Sequence, residues 1–471
     1  MSTDALIKAL KEALGETGVI TDAADLAPHL VEERGLYQGT SPALVKPANT
    51  EQVSEIVKLC AAHNTPAIAH GGNTGLVGAG VPDGAVIVDF SRMNKIVSID
   101  AVNLTMVVEA GAILADVQRA AEDAGAYFPL SLGAEGSCRI GGNLSTNAGG
   151  VHVVRYGNAR QLVLGLEVVL ADGRVWDGLR ALRKDNTGYQ LKELFLGAEG
   201  TLGLITRAVL RLYPKPLSKS VAFAGCASFD HALNLFQVAR GRAGDVLMAC
   251  EAMSDFSVAI AEKHIEGTQS PLEGRHGCYV LLEFGSSDPQ ADLDALMEKV
   301  LGDAFEDMVI EDAVIAQSGA QAESLWKIRE AIPEAQKKEG GSIKHDVAVP
   351  VSKTAEMIAR ASELVEKLIP GVRVVAFGHL GDGNIHFNLS QPENADKAEF
   401  LGHWHAVNEQ VHDLVVSMGG SFSAEHGVGQ LKTGEMARFK SEVELDLMRT
   451  LKTALDPQNL LNPGKVLPPK G

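Results

Sequence analysis

Apolar runs of strand length punctuate this chain, for example Leu164-Gly165-Leu166-Glu167-Val168-Val169-Leu170 and Cys278-Tyr279-Val280-Leu281-Leu282-Glu283-Phe284. Shorter ones occur at 67–69, 85–89 and 105–109, set between glycine-dense loops from Pro42 to about Tyr213. Elsewhere the spacing is helical. Leu6, Leu10 and Leu14, with Leu26 and Leu30, predict helix over about 5–35. Amphipathic helices are also predicted at 229–240, 321–338, 352–368 and 395–418. Strands and helices mix without the even alternation of a doubly wound sheet, so the fold class is α+β. Pro214-Lys215-Pro216 interrupts regular structure and marks a boundary. The expected divisions are a helical segment 1–36, domains 37–216 and 217–445, and a C-terminal segment 446–471.

Within the second domain, Gly378-His379-Leu380-Gly381-Asp382-Gly383-Asn384-Ile385-His386-Phe387-Asn388 sets two histidines symmetrically about Asp-Gly. Asp-Gly favours a two-residue hairpin turn, since both positions must accept positive φ. Such a turn would pair Gly381 with Asn384, Leu380 with Ile385 and His379 with His386. Directly opposed Cβ atoms lie roughly 4.5–5.5 Å apart on one face, close enough for both imidazoles to hold one metal ion. Ile385, Phe387 and Leu389 alternate with His386 and Asn388, so the polar pair faces away from an apolar face. Downstream, Ser423-Ala424-Glu425-His426-Gly427-Val428-Gly429 offers a carboxylate and a third imidazole. The spacing therefore suggests a two-histidine, one-carboxylate metal site with a further histidine beside it.

Composition narrows the partners. The 471 residues exceed one simple core, and 45% hydrophobic with 22% charged residues is ordinary for a globular chain. A formal charge of −18 argues against nucleic acid and anionic membrane surfaces. No apolar run approaches transmembrane length. The opening residues show neither a signal nor a transit peptide, which predicts a cytoplasmic protein, peripheral to a membrane only through an electron acceptor. Five scattered cysteines without a CxxC pair read as reduced, buried thiols.

Three glycine-rich loops stand out in the first domain: His70–Gly80, Gly133–Gly150 and Gly197–Ile205. Glycine lets backbone N–H groups approach phosphate closely. Neither a G-x-G-x-x-G nor a P-loop spacing is present, so three such loops predict a large, uncharged clamp on an extended phosphorylated cofactor.

Over about residues 40–468 these motifs resemble two joined domains. The first resembles the flavin-binding domain of the vanillyl-alcohol oxidase / para-cresol methylhydroxylase (PCMH) group, with its two subdomains. The second resembles the FAD-linked oxidase C-terminal domain of D-2-hydroxyacid dehydrogenases, an α+β substrate domain whose short terminal segment returns to the flavin domain. The resemblance implies that the loop of His70, Gly71, Gly72, Asn73, Thr74, Gly75, Leu76 and Gly78 carries the FAD pyrophosphate. It implies that Pro129, Leu132, Gly133, Ser137, Cys138, Ile140, Gly141, Gly142, Thr146, Asn147, Gly149, Gly150, Gly200, Thr201, Ile205 and Asn462 line the rest. Some members attach flavin through a histidine, and His70 lies in that loop; the nearest members hold FAD non-covalently, which is the expectation here.

Within the family the match is nearest to members that oxidise D-2-hydroxyglutarate. Leu325-Trp326-Lys327-Ile328-Arg329-Glu330 and Lys344-His345-Asp346-Val347-Ala348-Val349-Pro350 resemble their substrate-contact segments. By that resemblance Arg329, Lys344 and Asn388 contact substrate. His379, His386 and Glu425 bind zinc, manganese or cobalt, zinc foremost, and His426 is the catalytic base. Electrons would pass to a carrier such as electron-transfer flavoprotein or quinone, and a homodimer is compatible. Pro333 departs from the pattern, standing where those members present a hydroxyl toward the distal carboxylate. Proline offers no donor and disfavours helix at Ile332, so D-lactate or another D-2-hydroxy monoacid is the alternative substrate. An FAD-dependent ether-lipid synthase and a non-catalytic flavoprotein subunit are remoter alternatives. The paired cations suit a small acidic substrate better than the first, and the retained histidines and glutamate argue against the second.

Overall fold

A computed structural model describes residues 3–469. Internal contacts divide them into two units. One comprises the chain up to Gly149, Gly157–Pro214 and the described residues from Glu425; the other comprises Gly150–Tyr156 and Lys215–Ala424. The long segment of the second unit thus begins at Lys215, beside the 217 read from the sequence, and ends at Ala424, well before the expected 445.

The first unit carries two sheets of different character. Val19–Ile20, Leu44–Val45, Val86–Asp89 and Ala67–His70 form a four-stranded sheet in that order, the last three strands parallel. Ile96–Asp100, Thr105–Glu109, Leu204–Arg211, Val163–Val169 and Val175–Gly178 form an antiparallel five-stranded sheet. The helix Thr50–Ala62 starts where the Asn49 side chain accepts the Gln52 amide at 2.9 Å, a cap for a donor with no helical partner. Helix over 5–35 is corrected: Thr3–Leu14 is helical, and the chain then breaks at Gly15, which has φ 76°. Only Ala23–Leu26 resumes a short α-helical turn, capped by Asp22.

In the second unit the strands run Asp312–Ile315, Ser218–Cys226, Cys278–Ser286, Leu247–Ser254, Arg373–His379, Asn384–Ser390 and Ser342–Ile343 across one sheet, with Asp346–Ala348 also pairing to Asn384–Ser390. Both faces are covered by helices, and period-two alternation sorts the side chains. Ala222, Ala224, Cys250, Ala252, Val280 and Leu282 pack with Leu235, Phe236, Met297 and Val300 of the helices Phe229–Ala243 and Leu293–Glu306. Further along that face Ala376, Ile385, Phe387 and Leu389 meet the helices Thr354–Leu368 and Trp404–Ser417. Val221, Phe223, Tyr279, Leu281, Met253, Val375 and Phe377 point the other way, onto the helices Asp255–His264 and Gly319–Lys337. The predicted helix 395–418 appears as two, Lys397–Gly402 and Trp404–Ser417, interrupted at His403.

Gly319–Lys337 runs unbroken through Pro333, contrary to the local expectation at Ile332. An interior proline costs about 3 kcal/mol. Leu325, Ile328 and Ile332 are each buried on the sheet, and each such burial returns about 1.5–3 kcal/mol, so packing wins.

The histidine hairpin also differs from expectation. Its loop is four residues, not two, and the observed pairs are His379 with Asn384, Gly378 with Ile385 and Phe377 with His386. Leu380 is drawn out of the ladder into the apolar cluster on the opposite face. Asp382 accepts the Asn384 amide at 2.9 Å, and the Gly383 amide donates to the His379 carbonyl at 3.1 Å, closing the turn. Because the slip is two residues, His379 and His386 keep a common face as diagonal neighbours.

Gly383 has φ 85°, and a Cβ there would lie 2.1 Å from the Val349 carbonyl oxygen. Gly383→Ala is therefore expected to cost more than the about 1–2 kcal/mol of a left-handed alanine, read as a lowered Tm; an unchanged Tm would refute the register. A second expectation concerns Glu339, which accepts from Lys263 at 2.7 Å, from His264 at 2.5 Å and from Arg373. Burial opposes its ionisation, but hydrogen bonds from these three partners and the charge of Arg373 outweigh it and hold its carboxyl down to about 2, from 4.5. That stabilisation is complete above the unfolded value and disappears as pH falls from about 4.5 to 2. Glu339→Gln should lose about 3 kcal/mol at neutral pH and show a flatter decline over that window in denaturant titrations.

Candidate active site

On the second unit's sheet, the face that carries Phe377 becomes polar at one end. Glu251, His379, His386, Asp346 and Asn388 all belong to it, by register with Leu281, Phe377 and Val375. His379 is the last residue of its strand and 5% exposed. Its Nδ1–H donates to Glu251 Oε1 at 2.6 Å, so that in the neutral ring the lone pair lies on Nε2. Glu251 is wholly buried, and its other oxygen accepts from Arg329 Nε at 2.8 Å. Burial penalises its charge, but His379 and Arg329 outweigh that and hold the carboxyl below its usual range. The Arg329 guanidinium also lies 4.7 Å from the Phe377 ring centre.

The His386 ring centre lies 5.9 Å from that of His379, edge to face. Asp346 stands opposite His386 with Oδ1 4.0 Å from Nδ1, and the same oxygen accepts from Asn384 Nδ2 at 3.0 Å. Two imidazoles side by side, one with its tautomer set by a buried carboxylate, are a donor set that suits a divalent metal. Asn388 is spent largely on the protein: Oδ1 accepts the His345 amide at 3.2 Å, and Nδ2 donates to buried Gln336 at 3.0 Å. Lys344 is half-buried, whereas Pro333 is exposed on its helix. Glu283, on the same face, accepts from Trp326 Nε1 at 2.7 Å and lies 3.2 Å from Lys219. Burial disfavours its ionisation, yet His152, Lys219 and Trp326 bring its carboxyl down to about 2.

The expected flavin loops come together within the first unit. A Cβ on Gly72 would strike the Ser137 carbonyl at 2.3 Å, and one on Gly71 would meet Gly142 at 3.5 Å, so the two loops touch back to back. Cβ atoms on Gly75, Gly133 and Gly142 would meet nothing within 4 Å, leaving an open side to the loops. Asn143 Oδ1 and His70 Nδ1 are buried without a hydrogen-bond partner among the described residues. Open glycine walls beside orphaned polar atoms fit an extended polar cofactor such as FAD. His70 Nε2 donates to the Gly80 carbonyl at 2.5 Å, closing the loop on itself. Burial lowers that histidine's pKa.

Several expected flavin residues shape the loops. Thr146 donates to the Gly142 carbonyl at 3.1 Å, Asn147 accepts the Arg160 amide at 3.0 Å, and Thr201 donates to the Ala198 carbonyl at 2.7 Å. Asn462 donates to the carbonyls of Ala79 at 3.2 Å and Glu199 at 2.8 Å, tying the terminal segment to two loops. Cys138 is buried, and burial raises its thiol. Glu425 lies so near Gly149 that a Cβ there would come within 2.6 Å of its Oε1. Glu199 accepts the amides of Val428 and Gly429 at 2.7 and 2.8 Å, which anchors the segment following Glu425-His426 to the third glycine-rich loop.

Glu251, Asp346, Glu199 and Gln336 were not singled out from the sequence. Glu251 did carry a signal: it is the one acid in the run Leu247–Met253, which is otherwise apolar.

Comparison with known proteins agrees with both halves. Residues 41–178 match the family described as FAD binding domain, and residues 215–466 match FAD linked oxidases, C-terminal domain. A mitochondrial D-2-hydroxyglutarate dehydrogenase of Arabidopsis thaliana is 40% identical, covering 97% of this chain and 80% of its own. One from Bos taurus is 39% identical over 96% of this chain and 81% of its own. A solved p-cresol methylhydroxylase, 20% identical, superposes with a TM-score of 0.78 over 98% of this chain and 96% of its own, a likeness of fold. The cytoplasmic expectation is corrected, because both relatives are named as mitochondrial. Among the described residues no helix is long and apolar enough to cross a membrane. With its open glycine loops in one unit and its histidine-bearing sheet in the other, and with matches spanning both, the chain belongs to the FAD-linked oxidase family and is an FAD-dependent oxidoreductase.

Proposed function

We propose that this chain oxidises a D-2-hydroxyacid to the 2-oxoacid, preferring D-2-hydroxyglutarate, with FAD bound non-covalently and one divalent metal, zinc foremost, at His379, His386 and Glu425. The observation that carries this reading is the adjacent imidazole pair with its buried carboxylate, in a chain 40% identical to an enzyme named for D-2-hydroxyglutarate. When bound, the metal would acidify the substrate hydroxyl and FAD would accept the Cα hydride.

The chain's own residues supply the rest. His426 would accept the hydroxyl proton on a ring nitrogen. Arg329 has committed Nε to Glu251, so its two terminal nitrogens are the donors left for a substrate carboxylate, and Lys344 adds a point charge. Asn388 has one amide proton beyond its bond to Gln336, enough for a further contact with substrate. Two cations plus a metal exceed what a monoacid needs, which favours a second carboxylate. Pro333 removes one hydroxyl donor, and a hydrogen bond to a charged group is worth about 1.5–3 kcal/mol, or roughly ten- to a hundred-fold. The electrons would leave to a carrier such as electron-transfer flavoprotein or a quinone.

Denaturing the purified protein should release all its FAD, and flavin left on the polypeptide would refute non-covalent binding. Chelation should abolish turnover while the flavin spectrum persists; full activity in protein shown metal-free by elemental analysis would exclude a catalytic metal.

For the substrate, kcat/KM should rank D-2-hydroxyglutarate above D-lactate, with Pro333→Thr improving diacids by about ten- to a hundred-fold. A D-lactate advantage beyond tenfold, unmoved by Pro333→Thr, would overturn the diacid preference.

A further inference from the structure

Glu251 takes no part in the chemistry above, yet it is the group between two of its components. It sits mid-strand on Leu247–Ser254, wholly buried, with Ala249, Cys250, Ala252 and Met253 buried around it. A lone carboxylate at such a position is costly unless both oxygens are paired. Each oxygen has its own partner: Oε1 takes His379 Nδ1–H at 2.6 Å and Oε2 takes Arg329 Nε–H at 2.8 Å. The two partners come from different elements, the strand Arg373–His379 and the helix Gly319–Lys337.

We infer that Glu251 is a positioning residue that sets, through one rigid carboxylate, both the tautomer of the metal-facing histidine and the aim of the substrate-facing arginine. The inference rests on the proposed metal and substrate roles of His379 and Arg329. As an acceptor at Nδ1, Glu251 requires the proton there and the lone pair on Nε2, the form a metal ligand needs. As an acceptor at Nε, it removes one of five guanidinium donors from competition and turns the remaining edge outward. Aspartate or glutamine cannot reproduce this. Glutamine has one acceptor and one NH₂, so an amide proton must face either His379 Nδ1–H or Arg329 Nε–H. Facing His379, it favours the opposite tautomer, with the proton on the metal-binding nitrogen. Facing Arg329, it pushes the guanidinium away.

The test uses FAD-loaded, metal-stripped protein titrated with Zn²⁺ or Mn²⁺ by calorimetry, alongside KM for D-2-hydroxyglutarate on the reloaded enzyme. Glu251→Gln should weaken metal binding about ten- to a hundred-fold and raise KM, with its flavin spectrum retained. Metal affinity within threefold of wild type together with an unchanged KM would overturn the inference. Should Glu251→Gln fail to retain flavin, Glu251→Asp decides: one methylene shorter, it cannot reach both partners, so metal affinity or KM must worsen, and a variant unchanged in both overturns the inference. A wild-type protein that takes up no divalent ion would instead bring down the metal assignment itself, and is told apart by failing before any substitution is made.

Discussion

The sheet of the second unit is covered on both faces, and most of what is distinctive here follows from that. A strand buried on both sides has no solvent side on which to leave a charge. Any acid written into it must find partners inside the protein. Glu251 and Glu283 are two such acids, on neighbouring strands and the same face. Each has recruited cations or N–H donors from elsewhere: His379 and Arg329 for one, Lys219, Trp326 and His152 for the other. The compensation for burying charge thus gathers imidazole, guanidinium and carboxylate at one end of an otherwise apolar face. On the proposed reading, the groups that neutralise a buried acid are also the groups that hold metal and substrate.

Glycine plays the corresponding part in the first unit. Its loops approach one another at distances that side chains forbid, as at Gly72 against the Ser137 carbonyl. The loops are then fastened from outside their own sequence. Glu199 grips the amides after His426, and Asn462 reaches two loops from the end of the chain. Residues far apart in sequence therefore share the work of one cradle, and several expected flavin contacts, such as Asn147 and Thr146, spend their side chains on shaping it.

Much of this was legible along the chain. Strand-length apolar runs marked 67–69, 105–109, 164–170 and 278–284 because period two and β-branched content are local properties. The shared face of His379 and His386 was legible too, since alternation fixes which face a residue takes even when the register slips by two. The glycine loops and the family motifs pointed to a flavin oxidoreductase, and the family matches agree with that.

Other features depended on contacts that local sequence does not contain. The hairpin turn widened to four residues because Leu380 had a buried place on the far face of the sheet, which outweighed the local preference of Asp-Gly for a tight turn. The helix through Pro333 persisted because three side chains had a sheet to pack on. Helix beyond Leu14 failed where Gly15 turned the chain. Glu251, one acid in an apolar run, acquired its meaning only when strand pairing brought His379 beside it and a helix laid Arg329 across it. Sequence alone determined periodicity, face and motif, because these are set by neighbours one to four residues away. Register, pairing of buried charge and the fastening of loops were decided by the tertiary structure, because their energies come from partners tens to hundreds of residues distant.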